Sequence, residues 1–295
     1  FAALAPSAVS TALVLWGNAD QQARYLPAFH GEQPPAAALA VMEPTPLFDP
    51  FTLQTRARRE GGSYVLSGVK AMVPLAQQAE LFVVAAQVEG QGPALFIIES
   101  STPGLRIEAD PAMGLRAAGC ARLHLDNVKL PADALIGEAG KGAKLMFEGL
   151  NSERLLAAGA AIGLGDYALA KAVAYAKDRK PFGKPIGSYQ ALQHRMAQAK
   201  AQIEAARLMT YNAAERFDAG EDAGAHANMA KLLGSQAAVA AVEAALQTHG
   251  GYGFDRDYDI VTLWPMVRLL EIAPINNEML LNYIGEHVLG LPKSY

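Results

Sequence analysis

Residues 137–179 read GEAGKGAKLMFEGLNSERLLAAGAAIGLGDYALAKAVAYAKDR, and in this stretch the character of the chain changes. Gly137 and Gly140 close a region of short β-branched runs. Beyond them alanine, leucine and lysine dominate, and these residues favour helix. No proline interrupts the stretch from residue 141 onward. The sequence therefore predicts a long helix over Lys141–Arg179 that opens a helical domain.

Further helical segments follow this one towards the C-terminus. Apolar residues recur at helical spacing, as in the pair Ile203 and Ala206 and the pair Leu208 and Tyr211, each three residues apart. The predicted segments are Ser188–Ala219, Gly224–Thr248, Tyr258–Leu270 and Asn276–Leu289. Their lengths and the short loops between them indicate an antiparallel bundle of about four helices over residues 136–295.

The region before Gly137 reads as strands. Short runs with β-branched residues or alternating polarity recur about every ten residues, separated by glycine and proline. They are Ser63–Val69, Leu81–Val88, Ala94–Ile98 and Ala121–Val128. This spacing predicts a small antiparallel barrel or sandwich over residues 37–135. Residues 1–36 predict two short helical pieces, Ser7–Trp16 and Asp20–Ala28, so the expected fold class is α+β.

Composition excludes several classes of protein. The 295 residues are 51% hydrophobic and 18% charged, which is typical of a globular chain of about two domains. The net charge is −4 and no basic run exceeds Arg56–Arg59, which argues against a nucleic-acid partner. The single Cys120 cannot form an intrachain disulfide, so we expect a cytoplasmic protein. The histidines have no zinc-like spacing, and Ala8–Trp16 is too short to cross a membrane, so neither a metal nor a membrane partner is expected.

An ordered series of motifs runs through the chain. It comprises A-V-M-E-P-T-P-L-F-D (Ala40–Asp49), L-S-G-V-K-A-M-V-P (Leu66–Pro74), M-G-L-R (Met113–Arg116), L-H-L-D-N-V-K-L-P (Leu123–Pro131), G-L-N-S-E-R (Gly149–Arg154), Y-A-K-D-R-K-P-F-G-K-P-I (Tyr175–Ile186) and Q-T-H-G-G-Y-G-F (Gln247–Phe254). This order resembles the acyl-CoA dehydrogenase family, with roughly the first hundred family residues absent. The resemblance implies a remnant of an N-terminal helical domain at 1–36, a middle β-domain at 37–135 and a C-terminal four-helix bundle at 136–295.

The resemblance also implies an oxidoreductase that desaturates an acyl-CoA thioester and passes a hydride to FAD. Electron-transfer flavoprotein or a similar acceptor would then reoxidise it. Many members carry the catalytic base in a Glu-Gly-Thr turn, where this chain has Pro274-Ile275-Asn276. In isovaleryl- and long-chain-type members the base instead precedes an arginine on a helix. The corresponding residue here is Glu153, which becomes the expected base.

Substrate binding is expected on the same helix. Asn151 and Arg154 resemble the polar residue and the arginine with which the family holds the pantetheine and phosphate region of CoA. Their spacing places them on one helix face. An ordinary solvated helix turn remains the other interpretation of this pair. Ala118 stands where the family often has a CoA-facing hydroxyl, so that contact is absent.

The cofactor residues fall into two sets. Those that resemble the family's FAD-binding positions are Arg179, Phe182, Ile186, Gln247, Gly250 and Gly251, with Asn276 and Glu278 at the turn that meets the flavin. In the family the positions of Arg179, Phe182, Gln247, Gly250 and Gly251 serve the site of a neighbouring subunit. The resemblance therefore implies a homo-oligomer, a dimer or tetramer, or a hetero-oligomer with a homologous subunit.

The flavin-ring contacts within the chain are replaced by apolar residues. Met42, Leu47-Phe48 and Met72-Val73-Pro74 stand where the family has hydroxyls, amides and a tryptophan. Pro74 also lacks a backbone donor. Two alternatives to an active dehydrogenase stay open on this pattern. One is a catalytically silent subunit that completes the FAD sites of a partner dehydrogenase, and the other is an acyl-thioester binding protein.

Overall fold

A computed structural model describes residues 4–46, 48–111 and 114–294, apart from the side chains of Phe147, Glu148 and Leu150. Two motif positions, Leu47 and Met113, therefore lie outside the described residues. The chain divides into two compact units, Phe1–Leu150 and Asn151–Tyr295. The domain bounds expected from the sequence, 1–36, 37–135 and 136–295, stay predictions.

The first unit combines two helices with a sheet. Its elements are α1 (Leu4–Trp16), α2 (Ala19–Tyr25), β1 (Ala37–Ala40), β2 (Arg56–Glu60), β3 (Ser63–Val73), β4 (Leu81–Val88), β5 (Gly92–Glu99), β6 (Leu105–Ala109), β7 (Ala121–Pro131) and β8 (Leu135–Ile136). Asn18 caps α2 by accepting the Gln21 N–H at 2.8 Å, and the Gln21 side chain accepts the Asn18 N–H in return. The Gln21 amide also donates to the Asp133 and Leu135 carbonyls, which ties α2 to the sheet.

The sheet has the order β6-β7-β3-β2-β4-β5-β8, with β1 beside β4. Most pairs are antiparallel, but β1 and β2 both run parallel to β4. Strand β4 is buried on both faces: Phe82 and Val84 join one apolar cluster, while Val83 and Ala85 join the other. Burial on two faces explains why this strand reads as a continuous apolar run. The expected β-domain is confirmed.

A buried ion pair joins two of the sequence motifs. The Lys70 Nζ donates to a Glu43 carboxylate oxygen at 2.8 Å, and the side chains are 0% and 2% exposed. Glu43 also accepts the N–H groups of Gln54 and Thr55. Burial lowers the pKa of Lys70 to about 8, although the neighbouring Glu43 carboxylate acts to raise it. Burial also opposes ionisation of Glu43, but the Lys70 ammonium and the two N–H donors hold its pKa below the usual value.

The second unit is helical. Its elements are α3 (Gly142–Asp178), which begins in the first unit, then α4 (Gln190–Asp218), α5 (Gly224–His249), α6 (Leu263–Ile272) and α7 (Asn277–Tyr283). Small residues allow close helix approach: a Cβ at Gly234 on α5 would come within 3.3 Å of Ala158 on α3. One shared core cluster joins three helices, with Ile162 and Leu169 from α3, Ala199, Ile203 and Ala206 from α4, and Ala237 and Ala241 from α5. The expected C-terminal helical bundle is confirmed.

Several predicted helix bounds differ from the structure. In the first unit, α1 begins at Leu4 rather than Ser7, and α2 ends at Tyr25 rather than Ala28. Helix α6 begins at Leu263 rather than Tyr258, because Pro265 lacks an N–H and fits only in a first helical turn. Tyr258 lies before the helix, and its carbonyl accepts a hydrogen bond from the Lys171 ammonium. Helix α7 ends at Tyr283, and a π-helical turn, Ile284–Val288, replaces the predicted regular helix beyond it.

By length and composition alone, Gly142–Asp178 and Gly224–Phe254 could each cross a membrane. Both helices supply residues to the apolar clusters of the second unit. Core helices of a bundle have this composition because they bury alanine and leucine on several sides.

Candidate functional site

The turn of α3 that carries Asn151 and Arg154 is built around a buried arginine. An Arg154 Nη donates to the Asn151 Oδ1 at 2.7 Å. Arg154 is only 7% exposed, so this turn is not an ordinary solvated one. Its Nε is buried without a hydrogen-bond partner among the described residues. An unsatisfied buried donor on a charged group is destabilising, so the arrangement favours a ligand oxygen at this position.

Glu153 lies half-buried beside this arginine. Burial raises the pKa of its carboxyl to about 7, and the neighbouring Arg154 guanidinium acts in the opposite direction. Within the described part of the chain, no hydrogen bond or ion pair holds the carboxylate. A carboxylate with a pKa near neutrality can take a proton from a substrate at physiological pH.

A second buried cation lies on α5. Lys231 is 1% exposed, and its Nζ donates to the Ile275 carbonyl at 2.6 Å and to the Asn277 Oδ1 at 3.0 Å. The Ser235 hydroxyl contacts the same Asn277 oxygen at 3.2 Å. Burial lowers the pKa of Lys231 to about 8. We did not predict this cluster, although a single lysine with a serine four residues on, in an alanine-rich helix, was the available signal.

The C-terminal ends of α3 and α5 and the segments that follow them line an open cavity of about 490 Å³. Five of the residues expected to bind FAD lie together there, namely Arg179, Ile186, Gln247, Gly250 and Gly251. Lining residues that sequence reasoning missed are Tyr175, Pro181, Thr248, His249, Tyr252 and Asp255. The motif letters included most of them, but only folding showed which ones face the cavity.

The loop after α3 shapes one side of this cavity. The Ile186 N–H donates to the Arg179 carbonyl at 2.9 Å and closes the loop between them. Gly183 supports the tight turn with a φ of 80°. Phe182 is 81% exposed on this loop and is not among the lining residues.

Three features of this cavity bear on whether it can hold the adenosine-pyrophosphate half of FAD. Arg179 supplies an exposed guanidinium that can pair with a pyrophosphate. Gly250 has a φ of 59°, which favours glycine. Gly251 has ordinary backbone angles, and an added Cβ would meet no atom within 4 Å, so packing does not explain this glycine. Space left open beside a cavity is consistent with close approach of a ligand.

The other two residues expected at the cofactor lie at the start of α7. The Asn276 side chain accepts the Met279 N–H at 2.8 Å and so caps the helix. Glu278 is exposed in the first turn. Neither is among the residues that line the cavity.

The expected flavin-ring positions of the first unit are apolar in the structure as well. Strand β3 has a bulge between Lys70 and Val73, and Met72 within it has a φ of 54°. Met72 is 67% exposed, and the neighbouring Ala71 N–H donates to the Met42 carbonyl. Leu47, another altered position of this set, lies outside the described residues.

Comparison with known proteins gives a consistent result. The acyl-CoA dehydrogenase middle domain matches residues 38–128, and the acyl-CoA dehydrogenase C-terminal domain matches residues 140–289. Acyl-CoA dehydrogenase FadE12 of Mycobacterium tuberculosis is 36% identical over 99% of this chain and 77% of its own length. Butyryl-CoA dehydrogenase from Megasphaera elsdenii aligns with a TM-score of 0.91 and 30% identity over 96% of this chain and 75% of that one. A structure from work on the electron transferring flavoprotein of Acidaminococcus fermentans aligns with a TM-score of 0.90 and 31% identity over 95% of this chain and 75% of that one.

These matches confirm the resemblance that the motifs indicated. They support an acyl-CoA dehydrogenase-type oxidoreductase with FAD as its cofactor, and they do not favour a silent subunit. The chain belongs to the acyl-CoA dehydrogenase family.

Proposed function

We propose that this protein desaturates an acyl-CoA thioester between its α and β carbons, with Glu153 as the base. The α proton moves to the Glu153 carboxylate, the β hydrogen leaves as a hydride, and the carbon–carbon double bond forms between them. Bound FAD supplies the hydride acceptor. The observation that carries the proposal is the Glu153 carboxylate, half-buried and without a partner among the described residues, whose pKa burial raises to about 7.

Arg154 and Asn151 hold the thioester tail in this proposal. The buried Arg154 Nε can donate to a carbonyl or phosphate oxygen of CoA, which would satisfy the donor. Asn151 fixes the guanidinium through its hydrogen bond to an Nη. Glu153 shares one helical turn with Asn151 and Arg154, the residues that hold the tail. Binding the tail therefore also orients the α carbon towards the base.

Arg179, Gln247 and Gly251 bind the adenosine-pyrophosphate half of FAD in the cavity between α3 and α5. Family resemblance supports donation of this half-site to a neighbouring subunit, in a dimer, a tetramer or a hetero-oligomer. Electron-transfer flavoprotein is the proposed acceptor, and the similarity to the structure from the Acidaminococcus fermentans study supports it. The proposed location is the cytoplasm.

The pH dependence of kcat/KM should report Glu153. Since burial raises the pKa of the carboxyl to about 7, the group is protonated and inactive as a base at pH 5–6. We expect kcat/KM to rise with pH and to level off above a midpoint of about 7. A steady-state profile between pH 5 and 9 with an artificial electron acceptor measures this. A midpoint near 4.5 in the parent protein would contradict the assignment.

FAD affinity should depend on Arg179 more than on the apolar positions of the first unit. Arg179→Ala removes a charge-assisted contact to the pyrophosphate, worth about 1.5–3 kcal/mol or roughly 10- to 150-fold in Kd. Met72→Ala is the matched control, because exposed Met72 offers no polar contact to a flavin. Titration of apoprotein by flavin fluorescence gives both values. Equal affinities of the two variants would exclude the cavity as the pyrophosphate site.

Anaerobic mixing of the purified holoenzyme with a panel of straight-chain, branched and aryl-substituted acyl-CoA thioesters tests the function itself. Bleaching of the flavin absorbance by one class is the expected result. A parent protein that never bleaches, but restores FAD binding to a homologous subunit, would instead establish the silent-subunit alternative.

A further inference from the structure

We propose that Lys231 is a positioning residue for the desaturation, one that fixes the segment Ile275–Asn277 against α5. The inference rests on the proposed function, because it concerns the geometry in which Glu153 works. Nothing in the motif series points to this lysine. Its contacts do so.

The contacts of Lys231 are specific. One N–H of its ammonium donates to the main-chain carbonyl of Ile275 at 2.6 Å, and another donates to the Asn277 side chain at 3.0 Å. The bond to the Ile275 carbonyl fixes the main chain, and it does not depend on which side chains the segment carries. The second holds the first residue of α7, whose N-cap is Asn276. Two bonds to neighbouring residues fix both the position and the direction of the segment.

The segment lies where the resemblance places the family's catalytic turn. Pro274-Ile275-Asn276 replaces the Glu-Gly-Thr sequence, so the turn no longer brings a carboxylate. Besides burial, the carboxylates of Glu271 and Glu278 act to raise the pKa of Lys231, and the charge of Arg154, beside Glu153, acts to lower it. Lys231 therefore bonds directly to the segment that replaces the usual turn, and it lies within electrostatic range of the arginine beside the base.

Stability alone is a poor reason for a lysine at this position. Its two acceptors are uncharged, and among the described residues no carboxylate forms an ion pair with it. The carboxylates of Glu271 and Glu278 act on Lys231 without bonding to it, and they offset only part of the cost of burial, since the pKa of the lysine still lies below its usual value. An apolar side chain of similar length would avoid that penalty. What the two hydrogen bonds of Lys231 provide is a fixed position for the segment Ile275–Asn277.

The test compares Lys231→Met, Asn277→Leu and the double variant by the rate of anaerobic flavin bleaching. Displacement of the segment should slow bleaching about 10²-fold in each single variant. The double variant should be slower than either by no more than about threefold, because both changes remove one anchor. FAD content and the KM for acyl-CoA should stay near parental values. Lys200→Met, on the exposed face of α4, is the lysine control and should keep the parental rate.

Asn277→Asp separates positioning from folding. It keeps an acceptor oxygen for Lys231 while Asn277→Leu does not, so it should restore bleaching to within about threefold of the parent. If Lys231→Met fails to fold, this pair still decides the question. Equal losses in Asn277→Asp and Asn277→Leu, parental bleaching in Lys231→Met, or multiplying effects in the double variant would each overturn the inference. A parent protein that does not bleach would instead refute the proposed function itself.

Discussion

Replacing Glu153 with glutamine should lower turnover at least about 10²-fold, the usual contribution of a positioned general base. Glutamine keeps the shape of the side chain but cannot accept the α proton. Acyl-CoA binding should survive, because Asn151 and the buried Arg154 are untouched. Steady-state kinetics with an artificial electron acceptor give kcat, and a spectral titration gives the affinity for the thioester.

Glu204→Gln is the matched control for this change. Glu204 is an exposed carboxylate on α4 that pairs with Lys200 and Arg207. It lies far in the sequence from Asn151 and Arg154. Its loss should leave kcat within about twofold, since an exposed ion pair contributes little. Retention of parental turnover by Glu153→Gln would remove Glu153 from the reaction. In that case the rise of kcat/KM with pH would also have to come from a group other than Glu153.

Replacing Lys70 with methionine should destabilise the first unit by about 3–5 kcal/mol. The change leaves the buried Glu43 carboxylate with only the Gln54 and Thr55 N–H donors. An uncompensated buried charge is far less stable than the pair or than an apolar replacement. Urea unfolding followed by circular dichroism measures the change, and the unfolding midpoint should shift to lower denaturant.

Two comparisons make the Lys70 result specific. Lys70→Met combined with Glu43→Leu should recover much of the lost stability, because neither charge then remains buried. Arg24→Met breaks the exposed pair with Glu99 and should change stability by less than about 1 kcal/mol. A Lys70→Met protein as stable as the parent would show that the pair is not buried in solution.

The sequence predicted a helix or strand well where its local pattern of apolar and turn residues has only one structural interpretation. Strand β4 was predicted at its observed bounds because an apolar run between turn residues has few other interpretations. Strand β2 was missed because Arg56–Glu60 is almost entirely charged, and only its pairing with β3 and β4 makes it a strand. Helix α6 was predicted too early because Pro265 was not weighed as a first-turn residue.

The candidate site shows the same division. Motif order predicted that Arg179 and Gly251 belong together, and the structure places both at one cavity. It could not show that Phe182 faces solvent. The pairs Glu43 with Lys70 and Lys231 with Asn277 were missed, since each joins residues far apart in sequence. A lone charge inside an apolar segment was the only local signal for either.

Single-turnover bleaching of the flavin is the most direct test of Glu153 as the base. Parent holoenzyme and Glu153→Gln, loaded equally with FAD, are mixed anaerobically with unlabelled and with α-dideuterated acyl-CoA. We expect rapid bleaching of the parent with a primary isotope effect, and bleaching slowed at least about 10²-fold in the variant. Bleaching of Glu153→Gln at the parental rate, with the same isotope effect, would contradict this expectation.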